Sequence, residues 1–578
     1  MAIKSRLPAA ALIVGIAMLF GAALRLYQIS GRSMTHVEMF VPGIPLRADL
    51  SVPKPRMDLV TVVTSTLSSD THPPGYYVLM WFVTKCFGSS TLAIRLPSVL
   101  FGVASIGLVY WLGMLIGQRA PACVAAALLA FNGYHIVWSK TGRMYSMGCF
   151  LGLLTTILLL LLARSTRPRR AMEIGYAALM LLALSTHYFL WAVLATQMLW
   201  VLGNAWAQNR PMPRLLNIQI LVTILGSPLL AFAAYQSGNP VANLSRDVPL
   251  MAREYIQFVY LLPGWDDTHA VDGTAGLVLA PQFLLLRVLL FLFCAVLLIA
   301  GIRRLRPDRE PLLGESAQSF VWPWFLAAGL AVVTIALHVL VAGHQPDPKP
   351  TLKITKALAV LPLLMALGAV VLGKAWDRFR EWSMGLNLQF LSGGPPLVWF
   401  LAVAPFLLLA TISVLFRPIM DPRGLLYLAP FLLLTLASGI VNLGQRSRWL
   451  AVSLFLIVGV LLGFSVASYR DRIVGPINFK AFADKLKPRL RRDDLVLLRH
   501  DWDTTPILYY ISSERYDLRA HDFAGAVRGD PNARVWTLLV HGEETPSTMT
   551  QALDGYHEVE TVEVPLARGV MYCRSACQ

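Results

Sequence analysis

Charge is scarce in this chain. Of its 578 residues only 14% are Asp, Glu, Lys or Arg, while 56% are hydrophobic. Soluble domains carry about 25% charged residues, so a soluble globular protein is excluded. Acids are the scarcer sign, 33 against 50 basic residues, which leaves a net charge of +17. No basic patch interleaved with aromatics accompanies that surplus, so nucleic acid is not the expected partner. In so apolar a chain, basic residues set topology and meet anionic lipid headgroups. Cysteine is rare as well, with six in all. Cys86, Cys123, Cys149 and Cys294 sit in or beside apolar runs and read as packing residues. Cys573 and Cys577 stand apart in the tail, where a disulfide persists if that tail faces an oxidising compartment. Also missing are a glycine-rich phosphate loop in the tail and, among His36, Glu38, Asp70 and His72, any pair at the i, i+4 spacing of a strong metal motif. His36, Glu38, Asp70 and His72, and separately Asp266, Asp267 and His269, still leave a divalent cation open as a ligand.

Long apolar runs are what the chain has in abundance. Windows of about 20 apolar residues, each long enough to cross a bilayer as a helix, fall near residues 8–27, 92–117, 121–138, 146–163, 172–188, 189–206, 215–235, 279–302, 320–342, 356–373, 397–416, 424–441 and 449–467. Lys4 and Arg6 before the first run imitate a signal peptide. The run is long and ends in no small-residue cleavage site, so it reads as a retained first helix. Thirteen spans give a polytopic α-helical membrane protein over residues 1–468, with a first extramembrane loop at 28–91. Short loops rich in arginine (Arg164, Arg167, Arg169 and Arg170; Arg210 and Arg214; Arg303, Arg304, Arg306 and Arg309; Arg446 and Arg448) mark the cytoplasmic side. The first loop and the tail then lie outside. Residues 469–578 alternate strand-like and helix-like segments and read as a small extracytoplasmic α/β domain.

Outer loops carry cations against the topology rule: Lys140, Arg143, Arg246, Arg253, Lys349, Lys353, Lys356, Arg417 and Arg423. Lipid headgroups account for one such residue taken singly; the set points to a bound phosphate. The first loop adds Thr-His-Val-Glu (Thr35 to Glu38) and Asp-Thr-His-Pro-Pro-Gly-Tyr-Tyr (Asp70 to Tyr77). An outer carboxylate suits general-base work on an acceptor hydroxyl or amine, the plain alternative being a solvated side chain. Pro73-Pro74 also signals a helix start. The stretch Met57 to Leu67 has apolar residues at helical spacing and suits an interfacial helix.

In order and placement, the acidic first-loop motif, His72-Pro-Pro-Gly-Tyr-Tyr, Arg95-Leu-Pro-Ser, Gly142-Arg-Met-Tyr, Thr186-His-Tyr and Arg423-Gly-Leu-Leu-Tyr-Leu-Ala-Pro together resemble the dolichyl/polyprenyl-phosphate-mannose protein mannosyltransferase-like family of GT-C-fold membrane glycosyltransferases. The resemblance spans residues 10–470. It implies inverting transfer of a sugar from a polyprenyl-phosphate-linked donor to a protein, lipid or glycan acceptor at the outer face of a bacterial plasma membrane. It implies Glu38, Asp70 and His36 as candidate catalytic residues, and Arg143, Lys353, Arg423 and Arg417 as donor-phosphate partners. His72, Tyr76, Tyr145, His187, Tyr188 and Tyr427 would shape the pocket. One departure stands out. The family's first loop usually carries adjacent Asp-Glu with the aspartate favoured as base, and here the pair reads Val37-Glu38. A lipid-linked-glycan transporter and a non-catalytic scaffold are the competing readings. The few mid-span charges and the lack of a clear repeat weigh against the transporter.

Overall fold

The structure is a computed structural model. It describes residues 7–44, 58–165, 169–208, 213–236, 284–305, 367, 393–415, 419, 422–468, 478–491, 494–498, 506–507, 509–511, 517–519, 523–529, 534–540, 545–565 and 567–574. Among these residues the first 468 positions are helical: α1 (Leu7–Leu26), α2 (Leu59–Ser69), α3 (Gly75–Phe87), α4 (Thr91–Leu115), α5 (Arg119–Ala130), α6 (Gly133–Ser139), α7 (Tyr145–Ala163), α8 (Arg170–Thr186), α9 (Leu190–Ala207), α10 (Arg214–Gln236), α11 (Leu284–Arg304), α12 (Gly394–Leu415), α13 (Ala429–Gly444) and α14 (Arg448–Ser468). Among the described residues seven helices are long and apolar enough to span a membrane, or eight if the bent pair α5/α6 counts as one. The chain is a multi-pass helical membrane protein with a small C-terminal α/β domain, the fold class expected from composition. Apart from residue 367, the expected spans near 320–342 and 356–373 lie outside the described residues.

One expected span differs in shape. Residues 121–138 read as a single helix, but α5 and α6 meet at a 60° break. Asn132 caps α6, its Oδ1 accepting from His135 N at 2.8 Å. The carbonyls freed at the end of α5 take the guanidinium of Arg25, which donates to Ala130 O at 3.1 Å and Leu129 O at 3.2 Å. Apolar periodicity alone does not register such a break, because both halves are buried. The proline signal at Pro73-Pro74 is honoured by α3, and the helical spacing near residues 57–67 by α2.

Helices α11 and α13 cross backbone to backbone. A Cβ added at Gly301 would lie 2.0 Å from Thr435 O, and one at Gly439 only 1.9 Å from Leu297 O. Without a hydrophobic force between helices in lipid, small residues at the crossing let dispersion contacts hold the pair. Replacing Gly439 by Leu is expected to destabilise the bundle by at least the upper part of the roughly 1–3 kcal/mol typical of overpacking. Thermal denaturation of the detergent-solubilised protein checks this.

The tail holds a five-stranded sheet, β1 (Leu495–Leu498), β2 (Asp517–Arg519), β3 (Val535–Val540), β4 (His557–Val564) and β5 (Ala567–Cys573), in the order β2-β1-β3-β5-β4. Helices α15 (Phe479–Leu486), α16 (Phe523–Gly529) and α17 (Ser547–Ala552) accompany it. Strands β1, β2 and β3 are parallel, while β5 runs antiparallel to β3 and β4. Cys573 is disulfide-bonded, whereas Cys86, Cys123, Cys149 and Cys294 are free. This domain docks on the first loop. The Tyr510 hydroxyl accepts from Met34 N at 2.9 Å, and the Tyr509 hydroxyl donates to Ser89 O at 2.7 Å.

Candidate active site

The first loop builds two carboxylate environments of opposite character. Thr35 caps a short 3-10 turn (His36–Phe40) in a capping box with Glu38. Glu38 Oε2 accepts from Thr35 N at 2.9 Å and Thr35 Oγ1 at 3.0 Å. Arg95, in the first turns of α4, forks onto the same carboxylate, Nε to Oε1 and Nη2 to Oε2, each at 2.7 Å. Gly142 N donates to Oε1 at 2.9 Å. Both side chains are 0% exposed. The remaining Arg95 donors reach Ile29 O, Arg32 O and Ser33 O. Burial pushes the Glu38 carboxyl up, but Arg95, then Arg32 and the Gly142 amide, outweigh it and hold it at about 2. With five donors on two oxygens, this carboxylate is enclosed and saturated. It ties α4 and the 140–144 turn to the first loop.

Asp70 differs. It ends α2, its N–H bonding Thr66 O at 3.2 Å. Its Oδ1 accepts from Thr71 N at 2.6 Å, His72 N at 3.1 Å and His72 Nδ1 at 3.0 Å. Its side chain is 21% exposed. Burial raises its pKa, yet His72, then Arg143 and Tyr77, hold it well below the usual carboxylate range. The Tyr77 hydroxyl links Asp70 to Arg143, whose Nη1 donates to it at 2.8 Å. The same Nη1 reaches Val37 O at 3.4 Å. The position where the resemblance expects an aspartate therefore lies beside Arg143 but offers it only a backbone carbonyl.

Around this pair sits an aromatic group centred on His187, in the turn between α8 and α9. Its ring lies 5.3 Å from His72, 6.0 Å from Tyr145, 5.1 Å from Tyr427 and 5.0 Å from Phe189, centroid to centroid. His187 Nδ1 accepts from Phe189 N at 3.2 Å, which assigns the proton of the neutral ring to Nε2. Burial, with His72, Arg143 and Arg423 nearby, drives its pKa well below the ordinary histidine value. A neutral imidazole with one N–H remains. Arg423 opens the 3-10 turn Pro422–Leu428 and is close enough to Arg143 for mutual repulsion. Gly424 permits that turn to lie against the histidine, since a Cβ there would stand 2.3 Å from the Phe189 ring.

Of the residues expected from sequence, the structure thus brings together Asp70, His72, Arg143, Tyr145, His187, Arg423 and Tyr427. Tyr188 borders them through the charge of Asp70, its hydroxyl donating to Gln236 Oε1 at 2.7 Å. Tyr76 lies behind the site, where its hydroxyl meets Ser98 Oγ at 3.3 Å and Ser98 Oγ in turn donates to Arg143 O at 3.1 Å. Glu38 belongs to the enclosed cluster with Arg95. His36 is on the 3-10 turn, its side chain outside what is described, and Lys353 and Arg417 lie outside the described residues. No group of three or more His, Cys, Asp or Glu side chains gathers as a metal site among the described residues. Sequence reasoning missed Arg95 as the partner of Glu38, and Tyr77 as the bridge. An arginine in the first turns of an otherwise apolar span was the available signal for Arg95.

No curated protein matches the chain. Among solved structures it is similar to ArnT from Cupriavidus metallidurans bound to undecaprenyl phosphate, at 12% identity over 99% of each chain with a TM-score of 0.46. It is also similar to the oligosaccharyltransferase AglB from Archaeoglobus fulgidus in complex with an inhibitory peptide and a dolichol-phosphate, at 12% identity over 98% of this chain and 74% of that one, with a TM-score of 0.43. Residues 71–232, which contain His72, Arg143, Tyr145, His187 and Tyr188, match the family model of dolichyl-phosphate-mannose-protein mannosyltransferases, the family that the motifs resemble.

Proposed function

We propose that the chain transfers a sugar, with inversion, from a polyprenyl-phosphate-linked donor to an acceptor at the outer face of the membrane. The observation that carries this reading is a partly exposed carboxylate, Asp70, joined through Tyr77 to Arg143, with Arg423 and a neutral His187 around the same aromatic site. An acceptor O–H or N–H attacks the anomeric carbon. The bond from that carbon to the phosphate oxygen breaks, its electron pair stays on the phosphate, and the proton passes to Asp70. Arg143 and Arg423 offset the charge growing on the leaving phosphate, and the His187 Nε2–H is a further donor for it. Buried cations support an anionic ligand. Among the described residues Arg25, Arg95, Lys140 and Arg143 are each no more than 5% exposed, against Glu38 as the fully buried carboxylate in this region. Sidedness rests on the opposite end of the bundle, where Arg164 bonds Leu115 O and Arg304 reaches Gln118 and Gln445. Those arginines belong to the clusters that the positive-inside rule puts in the cytoplasm.

Asp70 takes the place of the aspartate that Val37 replaces. Both positions adjoin Arg143, so the base has moved along the loop while the cation has stayed. The test is transfer from a radiolabelled polyprenyl-phosphate sugar by the purified protein in nanodiscs. Arg143→Ala is expected to lower kcat/KM by at least about 100-fold; an Arg143→Ala protein as active as wild type contradicts the assignment.

The pH dependence has a definite sign. A carboxylate held below its ordinary range stays ionised as pH falls, so the Asp70 base remains competent through pH 5. His72→Ala removes the first of the groups that hold it down, and the acid limb of the kcat/KM profile is expected to move to higher pH. A limb that stays in place in His72→Ala would show that another group titrates.

A further inference from the structure

We infer that the N-terminal turn of α7, with the Arg143 guanidinium before it and the Ser146 hydroxyl on it, is the cradle for the phosphate group of the ligand. This rests on the reading above and assigns its anion to a place. Helix α7 begins at Tyr145 after Met144, a residue that supplies no side-chain cap. The first amides of a helix have no intrahelical partner and need one from outside. Gly148 N bonds Met144 O at 2.9 Å, but the amides of Ser146 and Met147 meet no acceptor among the described residues. They are not at a wet surface either: Met144 and Ser146 are 0% exposed and Met147 3%.

The neighbouring helix start shows what satisfied amides look like. At α9, Leu190 N, Trp191 N and Ala192 N bond His187 O, Tyr188 O and Phe189 O at 3.0 to 3.1 Å, and Phe189 N bonds His187 Nδ1. Both helices open onto the aromatic group around His187, yet α7 alone of the two keeps its amides open.

A second, independent observation points the same way. Ser146 Oγ and Arg143 Nε are buried polar atoms without a hydrogen-bond partner among the described residues, and their residues are 0% and 5% exposed. Every unmet group in this turn is a donor or, for the hydroxyl, able to be one. The Tyr427 ring packs on the same turn, since a Cβ at Gly148 would lie 2.4 Å from it, and that ring comes from the 3-10 turn that also holds Arg423. Amides at the positive end of a helix dipole, one hydroxyl and two guanidinium groups match an anion with several acceptor oxygens. A phosphate ester meets that description. A neutral ligand would leave the helix-end amides and the Ser146 hydroxyl without an acceptor among the described residues.

The experiment measures ligand affinity and ligand-induced thermal shift in nanodiscs for wild type, Ser146→Ala and Ser146→Asp. The probes are a C55 polyprenyl phosphate, the matching polyprenol without phosphate, and inorganic phosphate. Because the Ser146 hydroxyl has no partner among the described residues, Ser146→Ala is expected to leave the unliganded Tm unchanged while weakening polyprenyl phosphate binding about tenfold. Ser146→Asp places a negative charge in the cradle and is expected to abolish that binding while the polyprenol response stays as in wild type. Polyprenyl phosphate binding unchanged in both variants overturns the cradle and leaves the transferase reading standing. A fall in the unliganded Tm of Ser146→Ala with affinity unchanged overturns it too, in favour of a structural hydroxyl. Ser146-dependent binding of inorganic phosphate without any response to polyprenyl phosphate supports the cradle and defeats the lipid-linked donor.

Discussion

Asp70→Asn is expected to reduce transfer by about 10³-fold, within the roughly 10²–10⁴ that a positioned general base contributes, while donor binding and the fold survive. The substitution is nearly isosteric. An amide oxygen at Oδ1 still accepts from Thr71 N, His72 N and His72 Nδ1, the three donors that shape this turn. What it removes is the ability to take a proton from the acceptor. The loss should therefore fall on kcat, with KM for the polyprenyl-phosphate sugar changed little, because Arg143 and Arg423 remain. Steady-state kinetics at saturating acceptor separate the two. A loss confined to KM would assign Asp70 to binding.

Glu38→Ala is expected to fail differently, through stability. Removing one partner of a fully buried ion pair leaves the other charge uncompensated, at a cost of about 3–5 kcal/mol. Arg95 would keep its bonds to Ile29 O, Arg32 O and Ser33 O, but Gly142 N and the capping box would lose their acceptor. The 140–144 turn carries Arg143, so loosening it also disturbs the site. Linkage adds a pH signature. The folded Glu38 carboxyl sits at about 2, below its ordinary value of 4.5. Its contribution is therefore fully present above about pH 4.5 and declines as pH falls toward 2. Thermal unfolding of wild type between pH 6 and pH 3 should show a decline that Glu38→Ala lacks. Equal pH dependence in the two proteins would place the ionised pair elsewhere.

Much of the architecture was legible because bilayer thickness dictates span length, and span length is written in apolar runs. The break at Phe131 was not legible, since it depends on Arg25 reaching Leu129 O and Ala130 O across about a hundred residues of sequence. In the site, the motif residues His72, Arg143, Tyr145, His187, Arg423 and Tyr427 come from four separate segments and still meet, so order along the chain was a sound guide. The two acids were harder. Asp70 and Glu38 look alike as loop carboxylates, and what separates them is the partner. Glu38 is closed in by Arg95 from a helix 57 residues away, while Asp70 is held by its own next two residues and keeps an exposed face. Sequence-local reasoning sees the second arrangement and misses the first.

The central claim is that Asp70 faces the acceptor and the anomeric carbon while the donor phosphate rests near Arg143. An experimental structure with a non-hydrolysable polyprenyl-phosphate sugar analogue and an acceptor bound tests it most directly. The account predicts the acceptor's nucleophilic atom within hydrogen-bond reach of Asp70 and about 3–3.5 Å from the anomeric carbon, with the phosphate between Arg143 and Arg423. A sugar bound away from Asp70, or a Glu38 released from Arg95 and turned toward the acceptor, would contradict it.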